Sequence, residues 1–335
     1  MADLTFVGTF NYYDGYGHAS GQILKALKKL GANVKAIPLH KLPKEAVSIP
    51  GIVMMWATPP DYRRVKADEL WGYTYWESSR APLEWVEAIN EHTTRLFTAS
   101  QWCADMFRNS GVVIPIRVIS HGVNYREYPY VKRPVGRRPY TFLLLGELGG
   151  FRKGLPYAYL AFWEAFKGSQ NVRLVLKSRG AKANQAPEVG DDNVEIIYGN
   201  YSLNQMRKLY ERADCFVFPS RGEGFGLPPR EAASTGLPVI ATDWSGLTEG
   251  GIENYAYPLR VKRMQTALYG PPEIHGQVGE WAEPDVDHLA TLMSLCYENQ
   301  AMARQKGKAA SEWIGKHCRW DTGAQALLEA INGRL

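Results

Sequence analysis

The chain has 335 residues, 45% of them hydrophobic and 22% charged, with 39 basic against 34 acidic side chains and a net charge of +5. That length predicts two domains of ordinary size with enough apolar residues for a sizeable core, and the mild charge excludes a dedicated nucleic-acid binder of the strongly basic kind. No apolar stretch approaches the ~20 residues that span a bilayer, and the four scattered cysteines, Cys103, Cys215, Cys296 and Cys318, form no Cys-x-x-Cys pair, so neither a zinc site nor a disulfide framework is predicted.

The start, MADLTFVGTF, enters a strand-like run without the basic and apolar regions of a signal peptide. Unpaired cysteines then make a reduced, cytoplasmic setting the expectation, with peripheral contact to a membrane compatible with the basic balance. Residues 4–10 form the first predicted strand, followed by a Gly-rich loop and a helix over 20–30 with Ile23, Leu24, Leu27 and Leu30 at helical spacing. Strands are predicted at 33–38, 51–56, 95–99 and 116–120. The segment 125–140, YREYPYVKRPVGRRPY, carries prolines and basic residues without periodicity and reads as a connector between domains. Alternation then resumes: strands at 140–146, 173–177, 194–198, 214–219 and 237–242, helices at 155–166 and 202–212, and a last amphipathic helix at 320–335. Strands alternating with helices imply parallel, doubly wound sheets. The expected division is a first domain over 1–130, a second over 131–318 and a terminal helix over 319–335.

The stretch with most chemistry is PSRGEGFGLPPREAASTGLPVIATDWSG, residues 219–246. Glu223 and Glu231 stand eight positions apart, the first in a glycine-rich turn, the second just inside a helix opened by Pro228 and Pro229. Carboxylates accept hydroxyl hydrogen bonds strongly, and backbone N–H groups at a helix start attract phosphate. Together they suit a nucleotide sugar. The whole run, Glu-Gly-Phe-Gly-Leu-Pro, the second glutamate and the Gly-Leu-Pro-Val-Ile-Ala strand, resembles the Glu-x7-Glu signature of retaining glycosyltransferases of the GT-B fold, in particular glycosyltransferase family 4.

The resemblance implies an α/β fold of two Rossmann-like doubly wound domains facing an interdomain cleft, with the last helix crossing back onto the first domain. It gives Glu231 the nucleotide ribose, Glu223 the donor sugar, and Gly224, Phe225, Gly226 and Leu227 the donor-facing turn. The GELGGFRKG loop, residues 146–154, matches the family pattern at Arg152 and Lys153, which by resemblance meet the donor diphosphate. It departs at Glu147, where the family usually has arginine; Lys177 is one residue that would compensate. In the first half, YYDGYGHASG places Gly15, Gly17 and His18 in a loop that the family turns toward donor phosphate or acceptor. Ser20 breaks the Gly-x-Gly-x-x-Gly dinucleotide pattern, and no acidic residue ends the second strand, so NAD is not expected. Glu77 in GYTYWESSRAP and His121 in ISHGVN complete the acceptor-side candidates. The plain alternatives are a dipole-complementing glutamate for Glu231, a turn serving only chain reversal for 224–227, a solvated loop pair for Arg152 and Lys153, and structural histidines.

The function so implied is a metal-independent, retaining hexosyl or pentosyl transferase. It has no cofactor; a UDP- or GDP-linked sugar serves as co-substrate, and a glycan or lipid-linked saccharide accepts. Nucleic acid with a modified base, as in phage-type DNA, is an alternative acceptor, for which Arg63, Arg64, Lys66, Lys132, Arg133, Arg137 and Arg138 would supply phosphate contacts. A non-catalytic binding protein of the same fold is the reading from another class.

Overall fold

The computed structural model describes residues 3–11, 14–146, 151–179, 192–269 and 278–333. The chain forms two compact units, one from Met1–Gly122, Thr266–Glu280 and Cys318–Leu335, the other from Val123–Gln265 and Trp281–His317.

Unit 1 is built on six parallel strands: β1 (Leu4–Gly8), β2 (Val34–Pro38), β3 (Ile52–Trp56), β4 (Glu69–Tyr73), β5 (Arg95–Thr98) and β6 (Ile116–Val118). Their order is β2-β1-β3-β4-β5-β6. Central strands such as β1 are buried at every residue, as a parallel sheet covered on both faces requires. Strand β4 has no apolar-run signature in the sequence because Gly72 interrupts it. A Cβ there would lie 2.7 Å from the Tyr62 ring, so only glycine lets that ring pack on the strand.

Helix α1 (Gly15–Lys29) starts five residues before the predicted position. Gly15 and Gly17 are poor helix formers, but Asp14 caps the helix by accepting from the Gly17 N–H at 2.7 Å. Two helices absent from the sequence reading, α2 (Leu83–His92) and α3 (Gln101–Asn109), flank β5, the second capped by Ser100.

Unit 2 repeats the plan with β7 (Tyr140–Leu145), α4 (Leu155–Phe166), β8 (Val172–Ser178), β9 (Val194–Tyr198), α5 (Leu203–Arg212), β10 (Cys215–Phe218), α6 (Leu227–Ser234), β11 (Val239–Thr242) and β12 (Tyr257–Leu259). All pairs are parallel in the order β9-β8-β7-β10-β11-β12. Counted along the chain, this is the 3-2-1-4-5-6 arrangement of a dinucleotide-binding sheet, with its reversal between β7 and β10. Alternate residues Tyr140, Phe142 and Leu144, with Val172, Leu174 and Leu176, face a core shared with α4 and with α7 (Val286–Glu298). Full burial of each large apolar side chain contributes roughly 1.5–3 kcal/mol.

Strands β13 (Val261–Thr266) and β14 (Glu280–Pro284) pair separately. Helix α8 (Gln300–His317) precedes α9 (Trp320–Ile331), which packs on α1 within unit 1. Two glycines permit that approach: a Cβ on Gly122 would lie 2.1 Å from the Trp320 nitrogen, and one on Gly323 would lie 2.7 Å from the Ser120 carbonyl oxygen. The segment 125–140, expected as a connector, is held firmly to unit 2. Arg133 is 7% exposed and donates to the carbonyls of Ala213, Tyr210 and Thr235, contacts from residues distant in the chain that local composition does not encode.

Candidate functional site

The unit 2 sheet reverses its strand order between β7 and β10, and the C-terminal ends of the strands at such a reversal are where open α/β sheets bind ligands. The chain leaving β7 supplies Arg152 and Lys153; the chain leaving β10 supplies Ser220 and Glu223. They converge on one atom. Glu223 Oε1 accepts from Lys153 Nζ at 2.7 Å, Arg152 Nη1 at 3.1 Å and Ser220 Oγ at 2.6 Å. The Arg152 guanidinium also donates to the Gly222 carbonyl at 2.7 Å. Glu223 is 6% exposed. Burial alone would raise its pKa, but Lys153 and Arg152 outweigh that and hold the carboxyl below its ordinary value. Among the described residues, two cations here share the one carboxylate of Glu223.

Gly154 makes the corner possible. It lies at φ +75°, and a Cβ there would lie 1.9 Å from the Pro219 carbonyl oxygen. The Arg221 N–H donates to the Arg152 carbonyl at 2.7 Å, tying the two loops together. Behind Glu223, Ser245 Oγ accepts from the Glu223 N–H at 3.0 Å and the Gly246 N–H donates to the Glu223 carbonyl at 2.9 Å. Ser245 adopts φ +60°, a left-handed conformation uncommon outside glycine.

The turn 224–227 is pinned from inside. Arg230 is fully buried between the Phe225 and Tyr255 rings, at 4.1 and 4.6 Å, and donates to the carbonyls of Phe225, Gly226, Gly246, Leu247 and Glu249. Phe225 therefore points into the protein. Gly226, at φ +83°, caps α6, and Leu227 opens it. Pro228 and Pro229 have no N–H, so two of the four donors that a helix start leaves open are missing here, and Gly226 and Leu227 hold the remaining two.

Glu231 follows on α6, 9% exposed, accepting from the Tyr210 hydroxyl at 3.1 Å. Burial is the main cause that pushes its pKa up to about 7, reinforced by Glu127 and opposed by hydrogen bonds from Tyr210 and Tyr128. One site thus holds two carboxylates in opposite states: Glu223 firmly ionised, Glu231 poised near neutrality. Lys177 is drawn elsewhere, its ammonium donating to the Ser178 and Gly199 carbonyls at 2.9 and 2.5 Å. Burial, and then Arg179, lower its pKa to about 8. Glu147 lies outside the described residues.

Residues 139–268, spanning this corner, match the family model described as Glycosyl transferases group 1. The matched residues make up most of unit 2. The chain is 24% identical over 279 residues to glycogen synthase of Mycobacterium tuberculosis, an alignment covering 82% of this chain and 58% of that protein, so the chain spans under two thirds of that relative's length. Sucrose-phosphate synthase of Thermosynechococcus elongatus superposes with a TM-score of 0.70 at 16% identity, covering 98% of each chain. HepE of Anabaena in complex with UDP-glucose gives 0.68 at 13%, covering 98% of this chain and 99% of that one. The architecture is the two-domain α/β GT-B fold.

The first-half candidates lie in unit 1, outside the matched residues 139–268. The Gly17 N–H is occupied by Asp14, and the neighbour that excludes a Cβ there is Asn11, 2.6 Å away. His121 is 3% exposed and stacks on Trp56 and Tyr73. His18 and His121 both flank Trp320, with ring centroids 6.2 and 5.5 Å from it. Half-buried Glu77 acts on Tyr16 and Tyr75, whose rings meet at a tilt with centroids 4.4 Å apart; burial first, then the Glu77 charge, raises the Tyr16 pKa, against the Thr74 hydrogen bond. Sequence reasoning missed Ser220, Ser245, Tyr210 and Arg230. Only Ser220, next to the end of a predicted strand, carried a positional signal. Among the described residues no three His, Cys, Asp or Glu side chains cluster as metal ligands, and no helix is long and apolar enough to cross a membrane.

Proposed function

We propose that the chain transfers a sugar from a nucleoside diphosphate sugar to an acceptor hydroxyl with retention of anomeric configuration. The observation that carries this reading is the convergence of Lys153, Arg152 and Glu223 at the sheet reversal, with Glu231 one helical turn into α6. Glu231 accepts the ribose hydroxyls in its ionised form. The corner formed by Lys153 and Arg152 takes the diphosphate, and the two cations stabilise the charge that grows on it as the anomeric carbon–oxygen bond breaks. The acceptor oxygen bonds to the anomeric carbon on the same face, and its proton passes to the departing phosphate oxygen. Glu223 holds the cations in place and offers its second oxygen to the donor sugar.

A UDP- or GDP-linked donor is the expected co-substrate. UDP fits the HepE complex. The acceptor is a glycan or lipid-linked saccharide. The test is nucleoside diphosphate release from UDP-, GDP-, ADP- and dTDP-sugars, with and without pooled glycans and lipid-linked saccharides. Release from one donor, accelerated by one acceptor pool and lost in Glu231→Ala, supports the proposal. Silence across the panel, with normal folding, overturns it in favour of a binding role.

A further inference from the structure

A second concentration of cations in unit 2 lies at the other end of the sheet. Residues alternate in facing along a strand, so Thr141, Arg173 and Glu195 face away from the core formed by Phe142, Leu174 and their neighbours. With Arg137, Arg138 and Arg212 they line a cavity of about 160 Å³. Its lining comes from the outward-facing residues of the first and middle parts of β7, β8 and β9, Leu143, Val175 and Ile197 included, and from the last turn of α5. The Glu223 corner, in contrast, sits at the strands' C-terminal ends.

The charge there is largely uncompensated. Four arginines face one carboxylate in the lining, an excess of three positive charges. The Arg173–Glu195 pair is long, 3.7 Å, with both side chains about 40% exposed, at 42% and 41%. Such an exposed pair is worth little. Arg137 reaches Asp214 only at 4.0 Å, and Asp214 is already engaged by Arg304 at 2.6 Å and the Thr141 N–H at 2.9 Å. Among the described residues, Arg138 makes a long contact, 3.4 Å to the Tyr297 hydroxyl. Guanidinium groups present forked donors that match phosphate oxygens in pairs. The cavity is smaller than the ~300–1,000 Å³ that holds a drug-sized ligand, which points to a small anion and not a whole nucleotide sugar.

We propose that this pocket is a second anion site, binding a phosphate or diphosphate group at Arg137, Arg138, Arg173 and Arg212. It is independent of the transfer reaction proposed above. The 125–140 segment, whose basic residues have no part in the Glu223 corner, supplies two of the four arginines.

The test is calorimetric titration of the full chain with pyrophosphate, and with phosphatidylcholine vesicles carrying phosphatidate. The comparison uses Lys153→Ala, Arg173→Ala/Arg212→Ala and Arg173→Lys/Arg212→Lys. Pyrophosphate binding is expected to survive in Lys153→Ala. In the double alanine variant this residual site weakens at least tenfold, with intermediate loss in the lysine pair, which keeps charge but not the fork. The wild type and the two arginine-pair variants are expected to unfold at the same temperature, since Arg212 is exposed and Arg173 is about half exposed. A vesicle response lost in the double alanine variant assigns the phosphate to a lipid; a response to pyrophosphate alone assigns it to a soluble ligand. Binding of both probes unaffected by the double alanine substitution, or no saturable binding beyond the Lys153 site, overturns the proposal.

Discussion

Lys153 Nζ lies 2.7 Å from Glu223 Oε1, across 70 positions of sequence. The pair joins the loop after the first strand of the second sheet to the loop after its fourth. It fixes the Lys153 ammonium at the corner proposed to hold the donor diphosphate. Lys153→Ala is expected to lower kcat for sugar transfer by about 10²–10³-fold, the range seen when one preorganised charge-stabilising donor is removed. Steady-state kinetics with saturating donor checks it; an unchanged kcat would remove Lys153 from the chemistry.

Glu231 predicts two opposed pH effects. For donor binding the ionised form is required, so affinity rises by up to about tenfold per pH unit below pH 7 and levels off above it. Glu231→Gln binds donor weakly with no such pH dependence, which titration of a nucleoside diphosphate from pH 5.5 to 8.5 measures.

For stability the sign reverses. Burial favours protonated Glu231, so its contribution is complete below the ordinary value of 4.5 and is lost as pH rises through about 7. That displacement corresponds to a cost on the order of 3 kcal/mol once the group ionises. Glu231→Gln is therefore expected to stabilise the ligand-free protein by about 1–3 kcal/mol at pH 8 and to leave it nearly unchanged at pH 5. Denaturant unfolding at the two pH values decides it.

Ser245 combines a left-handed backbone with the acceptor for the buried Glu223 N–H. Ser245→Ala keeps the unfavourable φ and strands that N–H, for an expected loss of about 1–3 kcal/mol. Ser245→Gly loses the same acceptor but adopts φ +60° freely, so it is expected to be the milder of the two. Unfolding midpoints of both variants test the order, and equal losses would refute the conformational part.

Gly154→Ala places a methyl carbon 1.9 Å from the Pro219 carbonyl oxygen at a φ of +75°. No flexible side chain can yield there. The loop carrying Arg152 and Lys153 must shift, with an expected loss of at least ~2 kcal/mol and a fall in transfer rate beyond that of the less constrained Gly21→Ala, where no atom lies within 4 Å of the added carbon.

Local patterns carried much of the second half. The apolar runs of β7, β8, β10 and β11 and the capped helix α5 stood out because each is short, continuous and bounded by turn residues. In the first half β4 and the start of α1 were hidden by glycines, whose purpose is to admit the Tyr62 ring and the Asn11 side chain. The sequence motif named Glu223, Glu231, Arg152 and Lys153, but not the serines, the tyrosine and the arginine that hold them.

What the sequence by itself determined was the alternation of strands and helices, the residue types of the Glu223 corner and their order along the chain. Those depend on near neighbours: periodicity, glycine, proline and charge within a few positions. Only the tertiary structure decided that Lys153 and Glu223 meet, that Glu231 is buried enough to titrate near neutrality, that the 125–140 segment is fastened to the second unit through Arg133, and that four separate arginines share one pocket. Each of these depends on burial and on contacts between residues far apart in the chain, quantities that exist only once the sheets have formed and excluded water.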